Sequence, residues 1–303
     1  MHYFGPLGLA IVCQIALTAG AAHVRRGSRD YDPWITLRLL PFVLAVVFLH
    51  FNFKGWAPLV NPRMYDSLYE TIDQVLSPVV GAFAAIRSSV ASASPVAVDS
   101  AYHELFVLAF FVSYTAHAVL DKPIGIRRVI FATSLVLLAG GVLYWIAPAV
   151  GPFIYGPGPN ALASRSQEIM WRVREQLIQT RQFPPGAFTA GLAAMPSLHV
   201  ANMLVFVIYA NRLRWLWLAY FPLLAWIVIE AVVSRYHYVI DLPAGAILAL
   251  ACVQVSNRLL PQSTAGGVPG QLRPKDVPAG TSPDTSRRPR AERLQSRPAG
   301  GST

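Results

Sequence analysis

The run VIFATSLVLLAGGVLYWIA, residues 129–147, decides the fold class. It is uncharged from end to end, and a helix needs roughly 20 apolar residues to cross a bilayer. Its apolar side chains fall on every face, so length and lack of charge, rather than periodicity, mark it as a span. Six further runs read the same way: 6–24, 35–53, 102–120, 197–213, 215–233 and 242–260. A buried helix of a soluble protein accounts for one such run, but not for seven. The composition agrees. The 303 residues are 54% hydrophobic and only 13% charged, where soluble domains carry about a quarter charged residues, and mean hydropathy is +0.44. The expected fold is an all-α, polytopic transmembrane bundle of about seven spans. The cysteines, Cys13 and Cys252, both fall inside apolar runs. That placement predicts packing residues rather than a disulfide or a zinc site.

Orientation follows from the basic residues. Arg25, Arg26 and Arg29, then Lys122, Arg127 and Arg128, then Arg212 and Arg214, then Arg258 lie in alternate connections. The positive-inside rule makes that side cytoplasmic. Segments 54–101, 148–196 and 234–241 then face outward. Much of the formal charge of +10 is thereby a topology signal, and nucleic-acid binding is not expected. Ala19-Gly20-Ala21 has the small residues of a signal-peptidase site, yet no positive charge precedes Arg25. The first run therefore reads as a retained span.

Organisation along the chain is uneven. Residues 1–53 hold two spans, 54–101 an extracytoplasmic connection, 102–260 the membrane core, and 261–303 a basic tail expected to be disordered and cytoplasmic. Leu68, Ile72, Val75, Val79, Phe83 and Ile86 recur at helical spacing, predicting an interfacial helix over 67–88 with a kink at Pro78. A narrower apolar stripe, Leu162, Ile169, Val173 and Leu177, predicts a second over 162–181. These helices either cover a lipid site as a lid or simply pack on the membrane surface. Between that stripe and the 129–147 span, residues 147–157 hold too much Pro and Gly to be helical and form a shaped loop.

Two short stretches place ionisable groups at membrane boundaries. Met195-Pro196-Ser197-Leu198-His199 opens the fifth run, and Ser234-Arg235-Tyr236-His237-Tyr238-Val239-Ile240-Asp241 joins the last two. Two spans separate them, so both meet the same face. Phosphoryl transfer needs a nucleophile, a proton donor opposite it, and fixed positive partners for the oxygens. Histidine can fill either of the first two roles near neutral pH. His237 and Asp241 are four apart, a spacing that lets the carboxylate hold the imidazole in one tautomer. His199 supplies a second imidazole. Arg235 offers a planar fork for phosphoryl oxygens, and Ser197 stands at a helix N-terminus. His2, His50, His103 and His117 read as interfacial anchors. Glu230, inside a span, is expected to serve an active-site histidine or to pair with Arg235.

These stretches resemble the type 2 phosphatidic acid phosphatase superfamily, whose pattern runs PSGH and then an Arg-containing stretch ending in H-x3-D. Pro196-Ser197-Leu198-His199 and His237 to Asp241 carry the likeness, which extends over roughly residues 100–260. The resemblance implies His237 as nucleophile, Asp241 as its orienter, His199 as general acid, and Ser197 and Arg235 as substrate-binding phosphate ligands. It implies no metal and no other cofactor. Leu198 stands in place of Gly, Arg235 lies two residues before His237 rather than six, and the family's first motif, a Lys six residues ahead of Arg-Pro, is missing. In these features the chain is similar to the inositol phosphorylceramide synthase branch, whose Pro-rich loop would correspond to Ala147–Tyr155. Three functions follow as expectations. They are transfer from a lipid phosphate or phosphodiester to an alcohol, hydrolysis of a lipid phosphate or polyprenyl diphosphate, and lipid binding or transport without chemistry. The expected setting is the bilayer of a bacterial cytoplasmic membrane, with the site on the outer face.

Overall fold

The computed structural model describes residues 12, 14–20, 23, 34–92, 95–121, 123–184 and 193–261. The basic tail and His2 lie outside them, as do Cys13 and much of the expected first span. The chain divides into two units at Gln262, and the first carries everything that follows.

From Ile35 onward the described residues form nine α-helices, and no strand occurs among the described residues. The helices are α1 (Ile35–Val60), α2 (Asp66–Val75), α3 (Ser77–Ala91), α4 (Pro95–Leu120), α5 (Pro123–Ile146), α6 (Ala161–Thr180), α7 (Leu198–Ala210), α8 (Arg214–Val233) and α9 (Asp241–Leu259). Helices α1, α4, α5, α8 and α9 contain stretches long and apolar enough to cross a membrane. The protein is a helical, multi-pass membrane bundle, as the apolar runs predict.

Two expectations are corrected. The run 197–213 is only a 13-residue helix, α7. At about 1.5 Å per residue it covers about 20 Å, against about 30 Å of hydrocarbon. Ser197 caps its start and Asn211-Arg212 ends it, and most of it is buried at the centre of the bundle. The kinked helix expected over 67–88 is instead two helices, α2 and α3, meeting at an 80° bend. The break falls at Leu76, and Pro78 sits in the first turn of α3, where a missing N–H costs nothing.

Packing fixes which ends meet. The Asn61 amide just past the end of α1 donates to Trp145 O at the end of α5, and His50, earlier on α1, meets Leu137 O, earlier on α5, so these two helices run parallel. Arg128, near the start of α5, donates to Leu260 O just past α9. The Ser197 N–H donates to Asp241 O at 3.1 Å, so α7 and α9 start side by side. Consequently Arg127, Arg128, Arg212, Arg214 and Arg258 gather at one end of the bundle, and the two histidine stretches at the other.

Candidate active site

At the histidine end, α7 begins where Ser197 accepts from Val200 N–H. This cap satisfies an amide that has no partner within the helix. One residue into the helix stands His199. The approach of α9 is close enough that a Cβ on Gly245 would collide with the Ser197 carbonyl oxygen. Glycine at 245 is what lets the two motifs touch.

The turn between α8 and α9 delivers the second histidine. His237 Nδ1 lies 3.2 Å from Asp241 Oδ2, and Tyr238 N–H donates to the same oxygen at 3.0 Å. Both His237 and Asp241 are buried. The His199 and His237 rings stand 6.1 Å apart, centre to centre, at 66°. The structure thus brings together the three groups that the sequence singles out for chemistry.

Around them lies an aromatic wall that the sequence reading missed. His199 packs against Phe106 at 4.3 Å and Tyr102 at 4.7 Å between ring centres, and His103 stands 5.8 Å away. Tyr236 stacks on Tyr102 at 5.5 Å. Burial pushes the Tyr236 phenol up to about 12, so it stays protonated at neutral pH. His103, exposed on α4, also brings its ring to 5.3 Å from that of Tyr236. Its signal in the sequence was positional, since the start of the 102–120 run shares a face with both motifs. His50 and His117, by contrast, are buried. His50 Nδ1 lies 3.0 Å from Leu137 O, and His117 Nδ1 is 3.2 Å from Asp121.

The two expected phosphate ligands are already engaged. Ser197 is fully buried in its capping role. Arg235 adopts φ +57°, and its Nε and Nη2 both donate to Pro152 O, at 3.1 and 2.7 Å. Its Nη2 also lies 3.9 Å from Glu70. The guanidinium lines a cavity of about 370 Å³ that it shares with the carboxylates of Glu70 and Asp73. An anion entering there meets like charge as well as the arginine.

Loop 147–157 is shaped as expected, and its anchors lie far away in sequence. Asp66 accepts from Val150 N–H and Gly151 N–H, at 3.0 and 2.9 Å, and from the Tyr238 hydroxyl at 2.9 Å. Burial, with Asp66 alongside, holds the Tyr238 phenol well above its usual range. Gly151 has φ +128°, and a Cβ there would meet Tyr236 O at 2.8 Å, so both conformation and space require glycine. Opposite this, Glu230 corrects its expectation. It pairs with neither histidine nor Arg235: Oε2 accepts from Arg87 Nε at 2.9 Å, and Oε1 accepts from Asn160 and from Ser234. Its partner was hidden because Arg87 lies 143 residues away, on a helix read as interfacial.

Comparison with known proteins agrees with this arrangement. A family model described as PAP2 superfamily matches residues 82–255, a stretch running from α3 into α9 and holding every residue of the histidine cluster. No match was found among curated proteins or among solved structures. By a match that covers more than half of its length, with His199, His237 and Asp241 converging inside it, the chain belongs to the PAP2 superfamily.

Proposed function

We propose that this protein transfers a phosphorylated group from a lipid phosphoester to an alcohol acceptor, in the manner of an inositolphosphotransferase, through a phosphohistidine on His237. The observation that carries this reading is the buried His237–Asp241 pair with the His199 ring 6.1 Å away. A carboxylate accepting from Nδ1–H leaves the Nε2 lone pair free to attack. In the first step Nε2 bonds to phosphorus and the bond from phosphorus to the lipid oxygen breaks. His199 gives that oxygen its proton. In the second step the acceptor hydroxyl loses its proton to His199, its oxygen bonds to phosphorus, and the N–P bond breaks to regenerate His237. Ser197 and Arg235 are the proposed phosphate ligands. The basic end of the bundle faces the cytoplasm in this reading, so the chemistry is extracytoplasmic.

The test uses purified protein and a panel of phosphorus-labelled lipid phosphates and phosphodiesters. An acid-labile, base-stable adduct is expected in wild type and absent in His237→Ala, while His199→Ala slows turnover by about 10²- to 10⁴-fold. Undiminished turnover in His237→Ala refutes the nucleophile. Products that ignore added alcohols make the enzyme a phosphatase.

A further inference from the structure

Phosphoryl transfer needs fixed positive charge at the phosphoryl oxygens, and Arg235 is tied to Pro152 O with Glu70 close by. Another cation stands within the bundle. Lys54 lies on α1, within a candidate span whose other charged residue is Arg38, near its start. An ammonium inside such a span is costly and functional by default. The Lys54 nitrogen lies over the face of Tyr144, 5.3 Å from the ring centre.

The packing of α1 on α5 sets the height of Lys54 in the bundle. The preceding residue, Phe53, fills the space above Gly141, and its carbonyl accepts from the Trp145 indole at 2.7 Å. The adjacent residue of α5, Gly140, is covered by the side chain of Leu198, the residue before His199. Lys54 is thus level with the start of α7. His50 and Ala57, one turn to either side of it, are both buried, so this stripe of α1 faces the bundle rather than lipid. Its charge acts on His199 and His103.

Resting on the proposed reaction, we infer that Lys54 is a further cationic ligand, beside Arg235, that holds the phosphoryl group of the substrate against His199 and His237. Lys54 appears in neither histidine stretch and lies outside the matched residues 82–255. It would supply the charge that the missing lysine motif leaves unfilled.

The experiment compares Lys54→Met, which keeps the stem and loses the charge, with Lys54→Arg, which keeps the charge. Thermal unfolding of the purified, full-length protein is measured with inorganic phosphate and, separately, with a lipid phosphate in mixed micelles. Wild type and His237→Ala should both be stabilised by the lipid phosphate. Lys54→Met should lose that shift and Lys54→Arg should keep it. Stabilisation by inorganic phosphate as well means the phosphoryl group suffices; stabilisation by lipid alone means the acyl chains contribute. Either pattern supports the inference if Lys54→Met loses it. In turnover, KM for Lys54→Met should rise about 10- to 100-fold, the size of one charged hydrogen bond, with recovery in Lys54→Arg. An active wild type with an unchanged shift and KM in Lys54→Met overturns Lys54 and leaves the reaction standing. A wild type that neither binds nor turns over any lipid phosphate overturns both. A Lys54→Met protein that unfolds without ligand while Lys54→Arg is stable yet inactive also overturns it, since charge would then serve the fold.

Discussion

Replacing Glu230 with Gln tests the network that carries the histidine turn. Glu230 is fully buried and accepts from Arg87, Asn160 and Ser234, and Ser234 leads directly into Arg235 and His237. Glutamine keeps the shape and one carbonyl, so Asn160 and Ser234 retain an acceptor. Arg87, which is buried too, loses its carboxylate. Removing one side of a buried ion pair costs about 3–5 kcal/mol. For a domain of this size each kcal/mol moves Tm by roughly 2–4 °C, so a fall of roughly 6–20 °C is expected. Adding Arg87→Met removes the cation as well, and the double variant should regain much of the loss. A coupling of at least about 1 kcal/mol between the two sites should appear. The assay is thermal unfolding in detergent followed by tryptophan fluorescence, with kcat measured below the transition. Strictly additive effects refute the pairing. A full Tm drop with unchanged kcat refutes the claim that this network positions His237.

Two further outcomes can be checked. Gly245→Ala forces a Cβ against the Ser197 carbonyl oxygen, so it should separate the two motifs and lower kcat at least about tenfold, overpacking costing about 1–3 kcal/mol; unchanged kcat means the contact is unimportant. Single cysteines at Tyr236 and Arg127 test orientation in intact cells: an impermeant thiol reagent should label Tyr236→Cys and spare Arg127→Cys, and the reverse pattern inverts the proposed topology.

Much of the fold was legible because apolar length is a strong signal. The run 129–147 became α5, and five spans reached the membrane length expected of them. The run 197–213 misled because apolarity does not distinguish a span from a helix buried on all sides. Val205 and Phe206 are fully covered by protein, yet they read the same in sequence as lipid-facing residues. Within the site, His237 and Asp241 were legible because their pairing is local, four residues apart. Partners of Glu230, Tyr238 and His199 come from α3, α2 and α4, and no local pattern encodes contacts across more than ninety residues. Arg235 shows another limit. Its residue type suits a phosphate, but the carbonyl that it binds depends on how a distant loop folds back.

The three bonds to Asp66 also bear on what the smallest working piece of this protein is. The family match begins at residue 82, which invites trimming the chain there. Asp66 and the whole of α2 lie before that boundary. Excision would strip Val150 N–H, Gly151 N–H and the Tyr238 hydroxyl of their acceptor, and each stranded buried donor costs about 1–3 kcal/mol. Together that approaches the whole stability of a typical domain, about 5–15 kcal/mol. The stretch that matches the superfamily is therefore not autonomous in this chain. Its N-terminal helices are part of the catalytic unit, and a fragment starting at residue 82 should fail to hold His237 in place even if it inserts.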